Sequence, residues 1–201
     1  MTENDQMRLN EARTSFTGKT LTASQFDESW ALAGVMEREI RKSGSFREKL
    51  TDYSHAFSRS QKFDQLKGET ILRDIFKSRY GETMNQMREG LLERENCLRD
   101  AGQDQALHHA RSIEGMIKTG ETMPFYRAYD HAAVHMAGQH NITETGAKEL
   151  MKAAYHDAEG KELYETGKAL EKTHHEPAKE ASKEAAKQKR AANHSQSRKR
   201  G

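Results

Sequence analysis

The chain has 201 residues, 34% of them hydrophobic and 32% charged, with a mean hydropathy of −1.03. That is more polar than an average globular domain and excludes a thick apolar core, so thin helical layers or exposed ends are expected. The net charge of +2 is unevenly placed: residues 177–201 hold eight Lys/Arg against two Glu, or +6, which leaves −4 for the rest and describes a mildly acidic body with a basic tail.

In chain order, residues 1–21 are polar and read as a flexible N-terminal segment with a short helix near Gln6–Phe16. After Thr22, the residues Phe26, Trp30, Ala33, Met36 and Ile40 recur at helical spacing, and Ser43-Gly44 ends that helix. Ser45 with Glu48 three residues on predicts a capping box opening the next helix, with Phe46, Leu50, Tyr53 and Phe57 as its stripe. A third helix carries Phe63, Leu66, Ile71, Leu72, Ile75, Phe76 and Tyr80 and stops at Gly81. A fourth runs from Thr83 with Met84, Met87, Leu91 and Leu98, and a fifth uses Leu107, Ala110, Ile113 and Ile117 up to Gly120. Pro124 suits the first turn of a sixth, lined by Phe125, Tyr126, Tyr129, Ala133 and Met136. Thr143 caps a seventh with Ala147, Leu150, Met151 and Tyr155, Gly160 breaks the chain, and an eighth holds Leu163, Tyr164 and Leu170. No strand-like alternation and no constant repeat interrupts this pattern.

These readings predict an all-α bundle of seven to eight helices over residues 22–176, with a division near 120 left open, followed by a basic tail over 177–201. Residues 178–192 are helical by propensity but have no large apolar side chain to bury, and 193–201 are expected to be disordered. The one cysteine, Cys97, excludes an internal disulfide and fits a reducing compartment. No apolar run approaches the roughly 18 residues of a membrane-spanning helix. Met1–Asn10 lacks a signal-peptide core, so a cytoplasmic protein without a membrane partner is expected.

Five constellations bear on chemistry. In the tail, Lys179, Lys183 and Lys187 share a helix face and Lys189, Arg190, Arg198, Lys199 and Arg200 follow. Such cations neutralise phosphates and release counterions, and a solubilising tail has the same composition. Residues 132–155 fit a helix-turn-helix, with Asn141 in the left-handed turn position, Ile142 buried beneath it, and Thr143, Thr145, Lys148 and Lys152 on the DNA-reading face. Two ordinary packed helices give the same pattern. His131 and His135 stand one helical turn apart, a spacing used by metal ligands, but the flanking Glu of a zinc-protease helix is missing and polar helix faces carry such pairs. Cys97 has no activating His nearby in sequence, and there is no Gly-rich phosphate loop, so no catalytic residue, metal or cofactor is assigned. The stripe Phe46-Leu50-Tyr53-Phe57 reads as core before it reads as a docking face.

The segments Phe63–Glu95 and Met123–Leu170 resemble parts of proteins encoded with plasmid conjugal-transfer systems. The spacing of Arg190, Arg198 and Arg200 is similar to the arginine-rich C-terminal export signals of conjugative type IV secretion substrates. A relaxase's histidine triad is not recognisable. The resemblance therefore implies an accessory or transported protein rather than a nicking enzyme, with DNA, a relaxase or the secretion coupling protein as partner. A helix-turn-helix transcriptional regulator and a type IV secreted effector are the alternatives.

Overall fold

The computed structural model describes residues 3–18, 20–119, 123–175 and 184. Among them lie nine helices and no strand: α1 (Glu3–Phe16), α2 (Ala23–Ser43), α3 (Arg47–Gln61), α4 (Gln65–Tyr80), α5 (Met84–Ala101), α6 (Gln103–Lys118), α7 (Phe125–His140), α8 (Glu144–Glu159) and α9 (163–175). The protein is all-α, as its periodicities predict. No helix among the described residues is long and apolar enough to cross a membrane.

The helix ends follow local chemistry. The first N–H groups of a helix have no partner within it, so a short polar side chain stabilises the start by accepting from one of them. At α2 the Thr22 hydroxyl accepts from the Gln25 backbone N–H at 3.3 Å, while the Gln25 side chain accepts from Thr22 N–H at 2.8 Å. Thr83 and Gln86 repeat this reciprocal pair before α5, at 3.2 and 2.9 Å. The predicted Ser45–Glu48 box does not form. Instead α3 begins at Arg47, with Phe46 in the capping position, and the exposed Ser45 makes no side-chain cap. Phe46 is 2% exposed. Burying a Phe side chain is worth about 1.5–3 kcal/mol, more than the ~1 kcal/mol of a typical cap, so the aromatic ring sets where the helix starts.

The chain divides into two compact units. Unit 1 holds residues 1–101 and 137–147, and unit 2 holds 102–136 and 148–201. The division left open near residue 120 thus falls at 101/102, and a short return segment, residues 137–147, joins the first unit.

In unit 1, α4 packs on α1, α2, α3 and α5. It buries Ile71, Leu72, Ile75 and Phe76 against Phe26, Ala33, Met36 and Ile40 of α2, Leu50 and Phe57 of α3, and Met84, Met87 and Leu91 of α5. The aromatic stripe of α3 is therefore core. Leu66, predicted on the same stripe, is 73% exposed. It lies five residues before Ile71, about 140° around the helix, and so points off the buried face. α3 and α4 approach closely at Gly68, where a Cβ would stand 1.9 Å from Ser58 Oγ. The N-terminal segment, expected to be flexible, is held: α1 buries Ala12, and Arg8 donates to the Arg79 carbonyl at 3.3 Å.

Unit 2 is built from α6, residues 125–136 of α7, residues 148–159 of α8, and α9. Its interior is alanine-rich, with Ala106, Ala110, Ala128, Ala132, Ala133 and Ala154 buried beside Ile113, Ile117, Met136, Met151 and Tyr155. Small side chains let helices approach closely, which suits a chain with few large apolar residues. The Tyr155 hydroxyl donates to Glu114 at 2.7 Å, and Arg111 pairs with Glu159 at 2.5 Å. At Gly167 of α9 a Cβ would fall 2.1 Å from the Phe125 ring, so only glycine admits this ring beside the helix.

Candidate functional site

The predicted DNA-reading residues separate into two groups. Asn141 does take the left-handed conformation, at φ 50°, and Ile142 is buried. Thr143, however, is 2% exposed and not on a reading face. Its backbone N–H and its hydroxyl both donate to Glu95 Oε1, at 2.9 and 2.5 Å, while the hydroxyl accepts from Gly146 N–H at 2.9 Å. Thr145 is exposed, but its hydroxyl donates to the Lys42 carbonyl at 3.0 Å. Arg94 and Arg41 hold the Asn141 carbonyl and side-chain oxygen at 2.7 and 3.0 Å. Within unit 1 the turn is thus fastened to α2 and α5. The buried Glu95 removes Thr143 from the surface because its carboxylate needs the two donors that this threonine supplies.

Lys148 and Lys152 belong to unit 2, where they border a cleft of about 290 Å³ with Phe125, Tyr126, Tyr129, Asp130, Glu162, Leu163 and Tyr164. Phe125 forms its floor at 1% exposure. Tyr129 stacks on Phe125 with centroids 5.6 Å apart and planes 12° from parallel, and Tyr164 meets Phe125 edge-on at 5.6 Å. These are the offset and perpendicular geometries that the ring quadrupoles favour. Tyr126 and Tyr164 form the open rim at 53% and 50% exposure, with their hydroxyl oxygens 3.1 Å apart. That hydroxyl pair, together with partial desolvation, pushes the Tyr126 phenol above its ordinary value.

The helix starts position these rings. Pro124 precedes α7 and accepts from Ala128 N–H at 3.1 Å, while Glu171 of α9 accepts from the Phe125 N–H, at the start of the helix, at 3.3 Å. Glu171 also pairs with Lys168 at 2.8 Å, and that pairing holds its carboxyl below the ordinary range. Tyr129 is committed through its hydroxyl, which donates to the Lys148 carbonyl at 3.0 Å. Burial, then the Glu149 and Asp130 carboxylates, push its phenol up to about 12.

Around the aromatic wall the charges are mostly matched. Lys148 pairs with Asp130 at 2.6 Å, and Glu162 faces His156 at 3.2 Å. Lys152 is exposed and enters no ion pair among the described residues. The Lys148 and Lys168 ammonium groups lie 5.6 and 4.4 Å from the centroids of Tyr129 and Tyr126. This arrangement can hold a flat unsaturated group and offer it donors and acceptors at the edge. Asp130 is paired with Lys148 and the inner tyrosine is bonded to backbone, an arrangement suited to recognition.

In unit 1 a second hollow of about 430 Å³ is lined by Asp5, Arg8, Trp30, Glu37, Arg79 and Tyr80. Its Arg79 is already engaged, lying 5.1 Å from the Trp30 ring centroid and donating to the Trp30 carbonyl at 2.5 Å. His131 and His135 are both exposed, and His135 lies 5.5 Å from the buried His109 between ring centroids. No group of three or more His, Cys, Asp or Glu among the described residues converges to hold a metal ion. Cys97 is exposed. The tail cations Lys179, Lys183, Lys187, Lys189, Arg190, Arg198, Lys199 and Arg200 lie outside the described residues.

Most of the cleft was missed from sequence because its tyrosines were read as core. A signal was present. Phe125-Tyr126 and Leu163-Tyr164 are adjacent pairs, and neighbours on a helix sit about 100° apart, so both members cannot face one narrow core. In each pair the first residue is buried and the tyrosine is exposed. In comparisons with protein-family models, with curated proteins and with solved structures, nothing matches the chain.

Proposed function

We propose that the protein is a non-enzymatic accessory factor of plasmid conjugal DNA transfer that engages DNA or the transfer machinery through its basic C-terminal segment. The observation that carries this reading is the charge segregation: +6 in residues 177–201 against −4 in the remainder. Cations concentrated on one segment, where they outnumber carboxylates eight to two, attract a polyanion. The Arg190, Arg198 and Arg200 spacing resembles a conjugative export signal and ties that charge to a transfer system. The helix-turn-helix alternative is weakened by unit 1, where Thr143 is buried beneath Glu95 and Thr145 is tied to the α2 carbonyl. The cleft in unit 2 is furnished for binding, which agrees with a factor that recognises and does not react.

The test replaces Arg190, Arg198, Lys199 and Arg200 with Ala in the full chain and measures duplex DNA binding over a range of salt. Four lost phosphate contacts should flatten the plot of log affinity against log salt by about 3 to 4. A transfer reporter fused to the same variant should also lose translocation. Unchanged salt dependence together with unchanged translocation removes the proposal.

A further inference from the structure

We infer that the tyrosine cleft of unit 2 is a stacking site for a nucleobase of single-stranded DNA. This inference rests on the reading of the protein as a DNA-handling factor, and it adds to the basic tail a second, chemically different contact.

The cleft's size, wall and rim each narrow the ligand. A space of about 290 Å³ falls at the lower bound of ligand pockets, about 300–1,000 Å³, which suits one small ring system and part of its attached sugar. The wall is aromatic, with Phe125 and Tyr129 already stacked as a backing and the rings of Tyr126 and Tyr164 half open to solvent. Every base has a π face, so such rings accept bases without regard to sequence.

The rim argues against two other occupants. A cationic guest would meet Lys148 and Lys168, whose ammonium groups already stand against Tyr129 and Tyr126. A purely aliphatic or phenyl anchor from a protein partner would offer nothing to Lys152, the rim cation that enters no ion pair among the described residues. A nucleobase edge carries both amino donors and carbonyl acceptors, matching a rim of mixed sign. Its backbone phosphate would find Lys152, the rim cation without an ion pair among the described residues. Local charge is otherwise balanced, so stacking, and not counterion release, should dominate affinity at this site. That feature separates it experimentally from the tail.

The experiment uses the full chain and a fluorescein-labelled oligothymidine of about 15 nucleotides, within the span that single-strand binders cover. Anisotropy is compared with a duplex of equal length. Tyr126→Ala with Tyr164→Ala should weaken single-strand binding by about tenfold and leave duplex binding unchanged. Tyr126→Phe with Tyr164→Phe keeps both rings and should bind within about twofold of the parent chain. Both tyrosines are half exposed, and an unchanged melting temperature in the Ala variant confirms that the fold persists. Photo-cross-linking with 5-iodouracil in the strand should label the peptides holding Tyr126 or Tyr164.

Single-strand affinity that is unchanged in the double Ala variant, or cross-links confined to other peptides, overturns the inference. Equal labelling by free 5-iododeoxyuridine monophosphate would assign the cleft to free nucleotides and overturn its assignment to a strand. The tail variant separates the two readings. If it alone loses duplex binding while the cleft variants behave as the parent, the tail reading stands and the cleft reading falls. If the tail variant binds duplex normally while the cleft variants lose single strand, the reverse holds.

Discussion

Tyr129 shows how one half-buried polar group records its surroundings. Its ring is backed by Phe125, its hydroxyl donates to a backbone carbonyl, and two carboxylates stand near enough to oppose a phenolate. Burial and those charges place its pKa at about 12, above the ordinary 10.0. The folded state therefore keeps this proton where the unfolded chain would release it. Its contribution to stability is whole below pH 10 and is lost as pH rises toward 12. Denaturation midpoints of the parent chain should fall over that window more steeply than those of Tyr129→Phe, which has no phenol to ionise. Parallel curves for the two proteins would show that Tyr129 is not the group responsible. Glu95 makes the complementary point at the same scale. The residue is 7% exposed, its carboxylate is bonded twice to Thr143, and a Cβ on Gly146 would lie 2.2 Å from its carboxyl carbon. A polar side chain in the interior is held by its partners, and the glycine opposite gives it room.

At the scale of elements, helix boundaries were legible wherever a cap acts within four residues, and not where a distant contact competes. Thr22, Thr143, Gly44, Gly81 and Gly160 act as their sequence context indicates. The Ser45–Glu48 pattern failed because burial of Phe46 sets a different start for α3. This contrast predicts opposite outcomes for two similar substitutions. Thr83→Ala removes an observed reciprocal cap and should cost about 1 kcal/mol in chemical denaturation. Ser45→Ala removes an exposed hydroxyl that caps nothing and should stay within about 0.5 kcal/mol of the parent. Equal losses for both would restore the capping role of Ser45.

For the molecule as a whole, the division into units is set by a segment that is remote in sequence. Residues 137–147 belong with residues 1–101, and they bring Thr143, Asn141 and Thr145 to Glu95, Arg94, Arg41 and Lys42. A fragment of residues 1–101 lacks them and leaves the Glu95 carboxylate without its two donors. Each lost bond to a charged group costs about 1.5–3 kcal/mol in a buried setting, so the fragment should unfold at lower denaturant than unit 1 of the full chain. Identical midpoints would show that residues 137–147 add nothing to unit 1.

By itself the sequence determined the helical class, most helix ends and most buried faces. Each of those depends on spacing within a few residues, which the chain order records directly. It also determined the segregation of positive charge after Pro177, since charge is a property of composition. Tertiary structure alone decided that Thr143 is buried, that the unit boundary lies at 101/102, and that Tyr126, Tyr129 and Tyr164 converge with Lys148 and Lys152. These outcomes rest on pairs 19 to 103 residues apart, such as Tyr129 with Lys148, Thr143 with Glu95 and Thr145 with Lys42. A helical period shows that a side chain faces inward, but it carries no record of which distant side chain it will meet there.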